Sequence, residues 1–133
     1  MGQKEKGTAI AEQLKKILKR CPICKQESFK DHSYLLLATT VIREEERDRV
    51  DAFVEALKNH RWSQLHQFQE WEGAYDNLVA YLCRCVQGNI ALLTVHDSME
   101  LFYSPSLIEL EILDLPTIQA LEGAIPLQWH PFQ

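Results

Sequence analysis

Apolar residues recur at helical spacing near the N-terminus. One stripe is spaced three or four residues apart: Ile10, Leu14, Ile17 and Leu18. Residues at these spacings share one face of an α-helix, and here lysines occupy the opposite face. Thr8 can cap the start, and Pro22 forces the preceding residue out of helical geometry. The pattern predicts a basic, amphipathic helix over residues 8–20.

The strongest apolar block, residues 34–42, predicts a buried strand. Its length and its β-branched end are typical of such strands. A helix there would extend its apolar stripe to Glu46 and Arg49, which are poor core residues.

The centre of the chain has helical spacing. Its first stripe ends near Asn59 and His60 and consists of Val50, Phe53, Val54 and Leu57. A short helix can follow as far as Gly73. A third helix is predicted over residues 74–87, with Gly88 as its left-handed cap. The inward residues of this third helix would be Tyr75, Leu78, Val79, Leu82 and Val86.

Beyond residue 89 the period of the pattern changes from 3.6 to 2. Residues 90–96 and 99–103 flank Asp97-Ser98 and predict a hairpin with a two-residue turn. Residues 107–113 alternate as a half-solvated strand does. Pro116 and Gly123 bracket a short helix over residues 116–122.

These elements predict an α+β fold with an N-terminal basic helix, two or three central helices and a small antiparallel sheet with a C-terminal hairpin. The 133 residues suffice for a single domain, 1–133. Within it we expect a basic helix and cysteine knuckle (1–30), an α+β body (31–124) and an extended tail (125–133).

Charge is divided unevenly along the chain. The formal net charge of −5 combines +5 in residues 1–30 with −10 in residues 31–133. An acidic body repels nucleic acid and anionic membranes, so we expect neither as a partner. The basic segment is instead expected to lie on the acidic body, in the same chain or in a second copy. With no signal-like segment and no apolar run of about 20 residues, the expected location is the cytoplasm.

Cys21-Pro22-Ile23-Cys24 is the sharpest motif of the chain. Two thiolates at this spacing can bind one Zn²⁺, but a structural site needs two further ligands. The candidates are His32, His60, His66, Cys83 and Cys85. On the predicted third helix Cys83 and Cys85 would diverge by about 200°, which favours two inert buried thiols. His60 lies at a predicted helix end, so the predicted metal ligands are Cys21, Cys24 and His60, for zinc or for no cofactor.

Catalytic motifs give little support for an enzyme. The chain has no glycine-rich phosphate loop, no Gly-x-Ser-x-Gly elbow and no His-Glu-x-x-His motif, and we expect no catalytic residues. The dithiol could serve redox chemistry, since nearby positive charges lower a thiol pKa. That chemistry requires a strand before the motif and a long helix after it, which the pattern does not predict.

The tail contains Trp129 and Phe132 between prolines. Large aromatic groups are costly to expose, so we expect these two residues to bind a groove of the same chain or of a partner. Exchange of such a tail is a simple route to a homodimer.

Three functional hypotheses follow. The leading one is a small cytoplasmic, non-enzymatic interaction or regulatory protein that forms homodimers or binds another protein. The alternative is a zinc-binding protein that uses the Cys21–Cys24 knuckle. One form of this hypothesis has the knuckle present the basic helix to nucleic acid. The third is a thiol oxidoreductase.

Overall fold

A computed structural model of the chain describes residues 3–70, 76–97 and 105–132. The helices are α1 (Gln3–Leu18), α2 (Arg47–Lys58) and α3 (Leu115–Ala124). Two 3-10 helices, Glu44–Glu46 and Trp62–Gln67, flank α2. The strands are β1 (Ser33–Val41), β2 (Asn77–Arg84), β3 (Ile90–Asp97), β4 (Ser106–Ile112) and β5 (His130–Pro131).

The strands form one antiparallel sheet in the order β4-β3-β2-β1-β5. The first four strands are neighbours in chain order, and the two-residue β5 returns to the outer edge of β1. Helices together with an antiparallel sheet confirm the α+β class. In the described part of the chain, no helix is both long enough and apolar enough to span a bilayer.

Each face of the sheet is covered by a separate apolar core. The first core lies between the sheet and α2, α3 and the Trp62–Gln67 helix. Its buried members are Leu35, Leu37, Ala38, Phe53, Ala56, Leu57, Trp62, Leu65, Phe68, Leu78, Ala80, Leu82, Ile90, Leu92, Leu113, Ile118 and Leu121. The second core lies beneath α1 and the segment that follows it. Its buried members are Ala11, Leu14, Cys21, Phe29, Tyr34, Val79, Tyr81, Cys83, Cys85, Ala91, Leu93, Val95 and Phe132.

The predicted helix over residues 74–87 is wrong, because Asn77–Arg84 is strand β2. Successive residues of β2 alternate between the first and second cores, so almost every position of this strand is buried. A strand buried on both faces loses its polar alternation, and its apolar residues then also fit helical spacing. The central helices are therefore α2 and the two 3-10 helices that flank it, and Cys83 and Cys85 both lie in the second core.

The remaining elements agree more closely with the sequence pattern. The strand expected at 34–42 is β1, and the helix expected at 116–122 is α3, where Asp114 Oδ1 accepts a hydrogen bond from the Thr117 N–H at 3.0 Å. Helix α1 begins before the expected residue 8. β4 covers most of the strand expected at 107–113. The predicted turn at Asp97-Ser98 and the strand at 99–103 extend into residues outside the described ranges.

Leu14 anchors α1 to the sheet, since its side chain is fully buried in the second core. We expect Leu14→Ala to lower the free energy of unfolding by about 3 kcal/mol, through lost apolar burial and the cavity that remains. Urea denaturation measures the change.

Val86→Ala is the control, because Val86 is 53% exposed and its truncation should cost less than about 0.5 kcal/mol. Equal losses in the two variants would mean that α1 does not pack on the sheet as described.

Candidate metal centre

The segment after α1 forms a tight loop around Cys21. The Lys25 N–H donates to the Cys21 carbonyl at 2.9 Å, and the Cys21 N–H donates to the Gln26 carbonyl at 2.9 Å. The N–H groups of Ile23 and Cys24 both point at Cys21 Sγ, each 3.4 Å away. Donors directed at a sulfur stabilise its thiolate form, which is the form that binds a metal. The predicted Cys21–Cys24 knuckle therefore has the local geometry of half a metal site.

His32 enters the same region from a turn just before β1. The His32 N–H donates to the Phe29 carbonyl at 3.1 Å, and Asp31 has a positive φ of 63°. The His32 ring is buried, with Nδ1 2.9 Å from the Lys30 carbonyl oxygen. Because a carbonyl can only accept, Nδ1 must carry the proton and donate it. The lone pair is then on Nε2, which lies 3.4 Å from Cys24 Sγ.

Cys85 is the first residue after β2, at the start of the tight turn into β3. The Cys85 N–H donates to the Asn89 carbonyl at 2.8 Å, and the Gly88 N–H donates to the Cys85 carbonyl at 2.8 Å. Gly88 has a φ of 92°, which few residues other than glycine adopt. The turn thus holds Cys85 at the end of the sheet, on the face that carries the second core.

These elements bring four potential ligands together: Cys21, Cys24, His32 and Cys85. Their ligand atoms, three Sγ and one imidazole nitrogen, all lie within 4.8 Å of one another. Around a tetrahedral Zn²⁺, ligand atoms are separated by roughly 3.5–3.8 Å, given Zn–S bonds of about 2.3 Å and Zn–N bonds of about 2.0 Å. Small side-chain movements would therefore complete such a centre. The four residues can bind a metal ion.

The four groups differ in their access to solvent and in their acidity. Cys21, His32 and Cys85 are buried, whereas Cys24 is half-buried. A hydrogen bond from the Gln26 N–H is the main cause that lowers the pKa of the Cys24 thiol to about 7. Burial raises the pKa of Cys21. Cys24 is therefore the thiol from which a metal would most readily displace the proton.

His60, the third metal ligand expected from the sequence, lies elsewhere. Its Nε2 is 2.9 Å from Glu111 Oε2, and its ring stacks on Trp62 with a centroid distance of 5.1 Å. His66 also points away, with its Nδ1–H donating to the Ser63 carbonyl at 2.7 Å. The structure brings His32 and Cys85 to Cys21 and Cys24, and places His60 on Glu111 and Trp62.

Cys83 belongs to the second core without being one of the four ligands. Burial raises the pKa of its thiol to about 12, so it stays protonated as a small apolar side chain. The inert role expected of both Cys83 and Cys85 thus fits Cys83. Had residues 77–84 been interpreted as a strand, residues two apart would have shared a face, and Cys85 would have remained a ligand candidate.

Trp129 and Phe132, the expected partner-binding residues, contact their own chain. The Phe132 ring is buried 4.7 Å from the Phe29 ring and 5.0 Å from the Tyr34 ring, measured between centroids. The Arg84 guanidinium lies over Trp129, 4.6 Å from the ring centroid. The sequence predicts that the tail binds a groove of its own chain or of a partner. In the structure the tail packs on its own chain, and binding to a partner stays a prediction.

Comparison of the chain with known protein families, with curated proteins and with solved structures finds no match in any of the three.

The lowered pKa of Cys24 predicts selective alkylation. In chelator-treated protein we expect iodoacetamide to modify Cys24 before the other three cysteines, because Cys24 is both accessible and acidic. The rate should rise with pH and reach half its maximum near pH 7, following the thiolate fraction. Peptide mapping by mass spectrometry identifies the modified residue.

Cys24→Ser is the control and should abolish the fast phase. A midpoint near the ordinary thiol value of 9.0, or faster modification of another cysteine, would contradict the described environment.

Proposed function

We propose that this protein binds one Zn²⁺ through Cys21, Cys24, His32 and Cys85, and that the ion has a structural role. The observation that supports this proposal is the convergence of four ligand atoms within 4.8 Å from three separate parts of the chain. Three thiolates and an imidazole are soft or intermediate ligands, which favour zinc over magnesium or calcium.

The ligand count argues for structure rather than catalysis. Catalytic zinc sites have three protein ligands and keep one position open for water or substrate, whereas structural sites have four. Three of the four groups are buried, which further restricts access to the ion. We therefore propose a non-enzymatic protein in which zinc joins the Cys21–Cys24 loop and the His32 turn to the end of the sheet.

Protonation should oppose zinc binding. The ligands bind zinc as thiolates, so protons and zinc compete for the same sulfur atoms. Cys24, with a pKa of about 7, gives up its proton most easily, while the raised pKa of Cys21 makes its proton harder to displace. The apparent affinity should accordingly fall as the pH is lowered from above 9, where Cys21 takes up its proton, and more steeply below 7, where Cys24 does so as well.

Zinc content is the direct test of the proposal. We expect about one zinc ion per purified chain by native mass spectrometry, and its loss in Cys85→Ala. Removing zinc by chelation should lower Tm by on the order of 10 °C, since a ligand present at a hundred times its Kd stabilises by about 2.7 kcal/mol.

Cys83→Ala provides a matched control, because Cys83 is also buried and is only two residues from Cys85. This variant should retain zinc. Protein that contains no zinc, or equal zinc loss in both variants, would contradict the proposal.

A role in protein interaction is supported by a different part of the molecule. β4 is an edge of the sheet, and its outer side has no strand partner among the described residues. Several apolar side chains in and next to this strand are exposed: Leu107 at 37%, Ile108 at 57%, Ile112 at 53% and Leu115 at 65%. Exposed apolar groups on a free edge strand are typical of an association surface. We propose that a second copy of the chain binds there.

Subunit counting tests the second proposal. At micromolar concentrations we expect the wild type to be a dimer in native mass spectrometry, and Ile108→Lys to raise the dimer Kd at least tenfold, by about 1.4 kcal/mol. Val86→Lys is the matched control, since Val86 is 53% exposed but lies outside β4. A monomeric wild type, or equal effects of the two substitutions, would contradict dimer formation through β4.

A further inference from the structure

The C-terminal tail, residues 126–132, is held next to the metal ligands. Its strand β5 pairs with the start of β1, with Pro131 opposite Ser33 and His130 opposite Tyr34. The Phe132 N–H then donates to the carbonyl oxygen of His32 at 3.2 Å. The tail is thus bound to the backbone of the residue whose side chain faces Cys24.

Side-chain contacts strengthen this connection. The Phe29 ring lies 5.8 Å from the His32 ring and 4.7 Å from the Phe132 ring, measured between centroids. Phe29 also accepts, through its carbonyl, the hydrogen bond from the His32 N–H that closes the turn. The conformation of this turn therefore determines both the direction of the His32 ring and the position of the Phe29 ring that Phe132 packs on.

A second contact involves a different ligand. Arg84 immediately precedes Cys85, and its guanidinium stacks on Trp129 at 4.6 Å from the ring centroid. His32 is thus bonded to the tail through its own backbone carbonyl, and Cys85 directly follows a residue whose side chain contacts the tail.

We propose that the tail is a positioning element of the metal centre, so that zinc binding and tail docking favour each other. This inference rests on the zinc site proposed above. Bound zinc would hold His32 and Cys85 in place. The His32 carbonyl, which accepts from Phe132, and Arg84, which contacts Trp129, would be held with them. A docked tail would in turn limit the motion of both ligands before the ion arrives, and so reduce the entropy lost on binding.

Thermodynamic linkage makes the coupling reciprocal. If the tail raises zinc affinity by a given factor, zinc must favour tail docking by the same factor. Couplings of this kind are typically 5- to 150-fold. We expect about tenfold, since two of the four ligands contact the tail region directly or through a neighbour.

The first arm of the test measures zinc affinity in the full-length chain, by competition with a chromophoric chelator. Phe132→Ala should weaken zinc binding about tenfold, and Phe132→Leu, which keeps most of the apolar contact, should restore most of the affinity. Trp129→Ala should weaken binding in the same direction.

Phe53→Ala controls for general destabilisation. Phe53 is fully buried in the first core, on the opposite face of the sheet from the ligands, and its truncation should cost about 3–5 kcal/mol of stability. Its ring packs on the Phe68 ring at a centroid distance of 5.2 Å, so the zinc affinity of this variant should match that of the wild type.

The second arm measures the tail directly, by hydrogen exchange at the Phe132 amide in the wild type. Chelation of zinc should speed this exchange by the same factor, about tenfold, because the amide is released from the His32 carbonyl. Exchange at the Asn59 amide, which donates to the Glu55 carbonyl at the end of α2 and opens by local fraying, should change less.

The outcomes separate the two proposals. Zinc binding with equal affinity in the wild type and Phe132→Ala, or Phe132 exchange that is unaffected by chelation, overturns the coupling and leaves the zinc site intact. A wild type that binds no zinc overturns both. An equal loss of zinc affinity in Phe53→Ala also overturns the coupling, because the effect would then follow stability alone.

Discussion

Burial of the sheet on both faces is the constraint on which the structure depends. β2 is buried at almost every position, and its neighbours β1 and β3 are apolar over most of their lengths. Such a sheet needs a cover on each side, since exposed apolar area costs roughly 25 cal/mol per Å². α2 and α3 contribute to one cover. The other consists of α1, the cysteine loop and the end of the tail, so the candidate metal centre is part of the packing of the second core.

The chemistry of the second core follows from this position. Thiols and a neutral imidazole can be buried among apolar residues, whereas unpaired thiolates cannot. Burial accordingly raises the pKa of Cys21 and Cys83, and a thiolate forms most easily at half-buried Cys24. In the proposed zinc form, the ion would balance most of the charge of three thiolates. The same sulfur atoms can then belong to an apolar core in the protonated state and to a metal centre in the bound state.

The fold could be predicted from the sequence where one face of an element meets solvent. α2 and α3 keep an exposed side, so their patterns indicate helices. β1 is buried over most of its nine residues, and its length and β-branched end identify it as a strand. The residues of β2 also fit a helix, because burial on both faces removes the alternation that identifies a strand. This error affects the site, since a helix over residues 74–87 directs Cys85 away from its neighbours in the structure. The preference for His60 over His32 has a separate origin, the position of His60 at a predicted helix end.

Half of the candidate site could be predicted, since Cys21 and Cys24 are close in sequence and any tight loop joins them. The other half depends on tertiary structure. His32 reaches Cys24 through a turn in which Asp31 adopts a positive φ, and Cys85 reaches it through the pairing of β1 with β2. Ser33, next to His32, lies opposite Arg84, next to Cys85. The pattern of apolar and polar residues does not predict this register of β1 against β2.

This register has a consequence for the order of events during folding. His32 and Cys85 are far apart in the chain, and the antiparallel pairing of β1 with β2 is what brings their neighbours face to face. An unfolded chain can offer an ion the two sulfurs of the Cys21–Cys24 loop, but it holds the remaining pair of donors apart. Full coordination of the proposed ion would therefore come late, after strand pairing, and the ion would stabilise β1 and β2 once they are paired rather than start the folding of the chain.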